Sequence, residues 1–261
     1  MYKRQILDPA YPIPALAHLC ALTVMAKAPR AGRVKTRLSP PLALAQTAAL
    51  NVCFLQDTTE NIASVGASAG LISYTPAGDE ALFNDLLPET FALVLQRGDG
   101  FGERLHAAAE DILALGYGSV CLIDSDSPTV PRAAFEQAVQ ALAQPGDRVV
   151  LGPSQDGGYY LIGLKQAHLA PFERITWSTA SVCEETMERC REAGLEVVLL
   201  PTWYDVDDAA TLDVLSNEVL YNEAPPFATL PGYPAPHTRE FLRQMTSPET
   251  IVSQPPQAQS R

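Results

Sequence analysis

The chain is 261 residues long, 47% hydrophobic and 18% charged, with 30 acids against 18 lysines and arginines for a formal net charge of −12. That acid excess argues against general nucleic-acid binding, which needs a broad basic surface, and no run of 18 apolar residues is present to cross a membrane. The length suits one α/β domain with a short appendage.

Residues 1–18 carry two early cations, but Asp8, Pro9, Pro12 and Pro14 interrupt any signal-peptide core, so the stretch reads as a ragged N-terminal segment. An apolar run over 19–26 predicts a buried first strand. It leads into residues 27–37, which hold five cations and no acid. Helical spacing follows over 42–63, then a strand over 69–74, a short helix over 79–87 and a strand over 91–96. A glycine-rich loop at 97–102 precedes a helix over 103–115. A fourth strand over 119–123 is followed by a helix over 132–143. Strands over 148–152 and 159–164 flank residues 153–158. A helix over 181–193, a strand over 196–200 and a helix over 207–221 complete the pattern. Strands alternating with helices imply βαβ units and a mostly parallel sheet, whose ligands bind beyond the carboxyl ends of the strands. Beyond 222 the proline density rises, so 223–261 is expected to be an extended or disordered tail. Cys20, Cys53, Cys121, Cys183 and Cys190 form no Cys-x-x-Cys pair, which argues against zinc. Their odd number in a chain of this size predicts reduced thiols and a cytoplasmic location.

The basic loop is the first constellation with chemical content. Gly32 lets the backbone approach an anion. Arg33, Lys35 and Arg37 alternate, so in an extended stretch they project to one side. There, arginine forks and a compact lysine charge suit a nucleoside di- or triphosphate, with Lys27 beside them at the strand end. The alternative is a solvated basic turn. Neither a Walker loop nor a dinucleotide fingerprint is present. Asp124-Ser125-Asp126-Ser127-Pro128 ends the fourth strand. In an extended segment the carboxylates at 124 and 126 share a side and suit one hard cation, with diphosphate oxygens completing its shell; the alternative is an Asx turn with a helix cap. Asp205-Val206-Asp207-Asp208 opens the last helix, where Asp207 is a natural cap, or else Asp205 or Asp207 is a further metal ligand. Gly157 and Gly158 precede an aromatic strand, either as a plain hairpin turn or as a turn on which Asp156 meets an acceptor hydroxyl as ligand or base. Gly98 and Gly102 either form a simple turn or place backbone against a nucleobase. The four histidines share no motif, and no Gly-x-Ser-x-Gly elbow appears.

Five blocks occur in order between about residues 22 and 220. They are Met25-Ala26-Lys27-Ala28-Pro29 with Gly32-Arg33-Val34-Lys35-Thr36-Arg37-Leu38; Ser125-Asp126-Ser127-Pro128-Thr129; Gly152-Pro153 with Asp156-Gly157-Gly158-Tyr159-Tyr160; Ile175-Thr176-Trp177-Ser178-Thr179; and Trp203-Tyr204-Asp205-Val206-Asp207. Together they resemble the DUF2064 group of GT-A nucleotide-diphospho-sugar transferases. That group is associated with arsenosugar biosynthesis and related to phospholactate guanylyltransferases and molybdenum-cofactor nucleotidyltransferases. Asp124 stands where the family more often has a small residue, and Arg30-Ala31 replaces its usual Val/Pro-like pair.

The resemblance implies a three-layer α/β/α GT-A sandwich over 19–222 that binds a nucleotide-sugar or NTP through Mg²⁺ or Mn²⁺. It implies phosphate contacts for Arg33, Lys35 and Arg37, and metal contact for Asp126, with Asp205 or Asp207 closing the site. The resulting expectation is a metal-dependent glycosyltransferase. Lys35 and Arg37 stabilise the leaving diphosphate, Asp156 binds or deprotonates a small-molecule acceptor, and Gly157, Gly158 and Trp177 line the acceptor site. The alternatives are a nucleotidyltransferase that releases pyrophosphate and a non-catalytic nucleotide-binding module.

Overall fold

The computed structural model describes residues 4–246. The alternating strand and helix patterns resolve into β1 (Cys20–Lys27), α1 (Leu44–Ala63), β2 (Ser68–Thr75), β3 (Ala92–Leu95), α2 (Phe101–Ala114), β4 (Ser119–Ile123), α3 (Arg132–Ala143), β5 (Arg148–Pro153), β6 (Tyr159–Leu164), α4 (Val182–Glu192), β7 (Glu196–Leu199), α5 (Ala209–Tyr221) and α6 (Pro236–Thr246). The seven strands form one sheet in the order β3-β2-β1-β4-β6-β5-β7. Every pairing is parallel except those made by β6, which runs against β4 and β5.

Both sheet faces are apolar, as a sheet covered on two sides requires. Leu22, Val24, Cys121 and Ile123 join one buried cluster with Phe54 of α1, Phe135 of α3, Leu215 of α5 and Leu242 of α6. The intervening residues Ala21, Val120 and Leu122 join a second cluster with Leu105 and Ile112 of α2 and Cys183 and Cys190 of α4. The result is a three-layer α/β/α sandwich. Because β6 is reversed, its first residues reach the same sheet edge as the last residues of β1, β4 and β5.

Three expectations need correction. The helix over 79–87 is a single 3-10 turn at Glu80–Phe83. The N-terminal segment is not ragged where it is described. Arg4 is buried and its guanidinium donates to the carbonyls of Phe83, Asn84, Leu87, Pro88 and Phe91, while Leu7 N donates to Leu93 O at 2.8 Å. Nor are residues 223–246 an extended arm. Pro236 opens α6 at the first helical position, where its missing N–H costs nothing. The orphan amides of that first turn are met by a carboxylate from α1: Asp57 accepts from His237 N at 3.0 Å and Thr238 N at 2.8 Å. His237 Nε2 also lies 2.8 Å from Glu60 Oε1. Residues 247–261 of the expected tail lie outside the described residues. Among the described residues no helix is long and apolar enough to cross a membrane, and all five cysteines are free.

Candidate active site

The basic loop leaves β1 and does not run extended. Gly32 has φ +72°, where an L side chain is strained. Lys35 itself is left-handed at φ 48°, and Thr36–Leu38 form a 3-10 turn. Buried Val34 and Leu38 pin the loop to the body. The alternation that predicted three side chains on one side is therefore broken. Arg33 and Arg37 stay exposed, whereas the Lys35 side chain turns inward and is only 4% exposed. All three still line one cavity of about 360 Å³, together with Lys27 and Arg104.

The Lys35 ammonium lies 2.8 Å from Asp126 Oδ1 and 3.0 Å from Asp207 Oδ1, and donates to Val206 O at 2.6 Å. The Phe54 ring covers it at 5.7 Å. Burial works against this charge, but Asp126 and Asp207 outweigh it and hold the lysine above its ordinary pKa. Arg37 approaches the other Asp207 oxygen at 3.8 Å. Val206 N donates to Asp126 O at 3.0 Å, which ties the loop after β7 to the loop after β4.

The four aspartates expected around a metal have different surroundings. Asp124 does not stand beside Asp126 on an extended segment. The chain turns, and Asp124 accepts from Asp126 N at 3.2 Å and from Ser127 Oγ at 2.7 Å. Burial, then the Asp126 charge, push its carboxyl well above the ordinary range. Both of its oxygens are thus engaged in shaping the turn. Asp208, not Asp207, caps α5, accepting from Thr211 N at 2.9 Å. That one-residue difference leaves Asp207 free to face Lys35. Asp205 accepts from Ser154 Oγ at 2.9 Å. Burial, followed by the charges of Asp156 and Asp207, pushes its carboxyl up to about 6.

A second cavity of about 600 Å³ adjoins the first, sharing Lys27, Arg37, Phe101, Asp126 and Asp207 as lining. Its further walls include Asp124, Ser154, Asp156, Gly158, Tyr159, Trp177 and Asp205. Asp156 is exposed on the turn between β5 and β6, where it accepts from Gly158 N at 2.8 Å. Gly157 is required there by closeness: a Cβ would lie 2.0 Å from Ala180 O. Trp177 stacks edge-on against Phe101 at 5.1 Å.

Gly98 and Gly102 do not reach this cleft. Both border a separate depression with Glu103, His106 and Phe172. Gly102 lies in the first turn of α2, where a Cβ would fall 2.7 Å from Trp177 Nε1 and 2.9 Å from Phe172 O. Its missing Cβ is what lets the Trp177 indole and the Phe172 carbonyl pack against it. Arg104, Phe101 and Ser154 line the cleft without having been singled out in the sequence. Arg104 carried a weak signal, as the cation closing the glycine-rich run Gly98–Arg104.

Asp126 and Asp207 offer two carboxylates, the hard donors that a divalent cation takes. Among the described residues no group of three or more His, Cys, Asp or Glu is placed to hold a metal ion. Magnesium typically uses one or two carboxylates plus substrate phosphates rather than an all-protein cage. Asp126 and Asp207 already converge on one cation, the Lys35 ammonium.

The DUF2064 model, described as an uncharacterized protein conserved in bacteria, matches residues 58–179. No curated protein matches the chain. A protein from Desulfovibrio desulfuricans G20, provisionally named a nucleotide-diphospho-sugar transferase and solved at 1.90 Å, is 31% identical. The match covers 87% of this chain and 94% of that one, with a TM-score of 0.74. The chain belongs to the DUF2064 family. It is a transferase with the nucleotide-diphospho-sugar transferase fold. A CMP:2-keto-3-deoxy-manno-octonic acid synthetase solved with CTP shares the fold alone, at 13% identity over 76% of this chain and 96% of that one, with a TM-score of 0.50.

Proposed function

We propose that this DUF2064 chain is a metal-dependent glycosyltransferase that takes a nucleotide-diphospho-sugar and passes the sugar to a small acceptor without negative charge. The observation that carries the reading is the electrical polarity of the cleft. The first compartment is lined by five cations (Lys27, Arg33, Lys35, Arg37, Arg104) and two acids (Asp126, Asp207). The second is lined by five acids (Asp124, Asp126, Asp156, Asp205, Asp207) and two cations (Lys27, Arg37). Anions are drawn to the first and repelled from the second.

In this reading the donor diphosphate lies in the first compartment, where Arg33 and Arg37 supply forked contacts and Lys27 and Arg104 add charge. Charge that builds on the leaving diphosphate is stabilised by these preorganised groups. A magnesium or manganese ion held by Asp126 and Asp207, with Asp205 alongside, would add Lewis-acid neutralisation of that charge. The acceptor enters the second compartment against Trp177 and Tyr159. There Asp156 accepts its hydroxyl proton as the oxygen attacks.

The same polarity weighs against nucleotidyl transfer to a phosphate-bearing acceptor, whose anion would face Asp126, Asp156 and Asp207, while burial raises Asp124 and Asp205 towards their neutral forms. The test is product analysis with sugar nucleotides and NTPs in Mg²⁺ or Mn²⁺. Nucleoside diphosphate released from a sugar nucleotide is the expected outcome. Pyrophosphate released from an NTP would replace this reading with nucleotidyl transfer, and tight nucleotide binding without turnover across a broad acceptor panel would replace it with a binding module.

A further inference from the structure

We infer that the Lys35 ammonium is a tethered occupant of the cation position between Asp126 and Asp207, and that it must leave this position before a divalent ion can be held there. The inference rests on the metal part of the reading above. Its basis is the lysine's own surroundings. Nζ is ringed by three oxygens, from Asp126, Asp207 and Val206, at 2.8, 3.0 and 2.6 Å. These are the hard donors that a divalent ion also takes. An ion drawn between the two carboxylates would stand within a few ångströms of the ammonium, and like charges repel strongly at that range.

The backbone is arranged for this placement. Lys35 adopts a left-handed conformation unusual for a residue with a side chain, φ 48° and ψ 36°. That turn aims the side chain inward between two exposed arginines. Strained backbone of this kind persists where the surrounding structure imposes it. The same loop carries Arg33 and Arg37 in the first compartment, so a displaced Lys35 has an anionic destination there once a diphosphate is bound. Metal and nucleotide then favour each other, because each gives the ammonium reason to move. Before they arrive, the lysine keeps two neighbouring carboxylates from repelling each other.

The test uses the full chain and Mn²⁺ alone, followed by electron paramagnetic resonance. Lys35→Met is expected to bind Mn²⁺ roughly tenfold tighter than wild type or better, because a competing charge is gone. Equal or weaker Mn²⁺ binding in that variant overturns the inference, since a lysine that merely props the site open would leave it damaged when removed. The wild type offers a second readout that does not depend on the variant folding. The amine of Lys35, 4% exposed, should resist reductive methylation in the free protein and become reactive at saturating Mg²⁺. Protection that stays constant while Mg²⁺ binds overturns the exchange. Both readouts omit nucleotide. A chain that shows the exchange yet binds no nucleotide therefore refutes the transferase reading and leaves the exchange standing.

Discussion

Two parts of this molecule engage carboxylates, and they treat them in opposite ways. Where α6 lies on α1, Asp57 is fully used: each of its oxygens takes a backbone amide from the first turn of α6. In the cleft, Asp126 and Asp207 share one lysine ammonium, Asp205 has a single serine hydroxyl, and Asp156 faces solvent. Burial separates the two regions, since Asp57 is fully buried while Asp126 and Asp207 are partly exposed. So does the kind of partner, which is fixed backbone in one region and a side chain on a flexible stem in the other. Fixed partners make a joint, and exchangeable partners make a site.

The sharpest way to break this contrast is Asp126→Ala. Metal-supported nucleotide affinity should fall roughly 100-fold or more, while the melting temperature moves little because Asp207 still faces Lys35. Calorimetric titration with a nucleoside diphosphate and Mn²⁺ decides it, and unchanged affinity removes Asp126 from the site. Asp57→Ala should do the reverse. Losing a helix cap and orphaning two amides should cost about 2–3 kcal/mol in urea unfolding, with nucleotide affinity preserved; a matching loss of affinity would mean the joint and the cleft are coupled.

Gly102→Ala sharpens the contrast within the cleft itself. The new methyl displaces the Trp177 indole, at a stability cost of roughly 1–3 kcal/mol. The acceptor KM should rise several-fold while the donor KM holds, and equal changes in both would place Trp177 across the two compartments. The smallest effect is a pH slope. Burial raises the Asp57 carboxyl above its ordinary value despite its amide partners. The folded chain therefore holds a proton there that the unfolded chain has released. Stability should fall as pH rises from the ordinary carboxylate range through that raised midpoint. Melting curves of Asp57→Asn should lack this component, and an identical slope would assign it to another group.

Much of the architecture was legible because it rests on local rules. The seven apolar runs were visible as strands, and the alternation of strand and helix implied a covered, mostly parallel sheet. The reversal of β6 was not legible, since side-chain alternation looks the same in either chain direction. The tail misled because its prolines suggested disorder, whereas Pro236 starts a helix whose partner Asp57 lies 179 residues earlier in the chain. At the site, the basic loop and the aspartate blocks were visible as residues, but their roles depended on backbone turns. Lys35 points inward only because of a left-handed residue that no alternation rule anticipates. Asp207 is free only because the cap falls one position later, on Asp208. Gly102 gives room to an indole 75 residues away in the chain.

The reversed strand has one further consequence. A parallel strand touches the rim of the cleft once, with its last residues, and then departs into a helix. Between Pro153 and Tyr159 the chain instead arrives at the rim and turns straight back. The acid at 156 and the aromatic at 159 are therefore carried on a single short span, anchored at both ends by neighbouring ladders. One wall of the second chamber is built as a unit, so any lengthening of that span would displace the Asp156 carboxylate and the Tyr159 ring together.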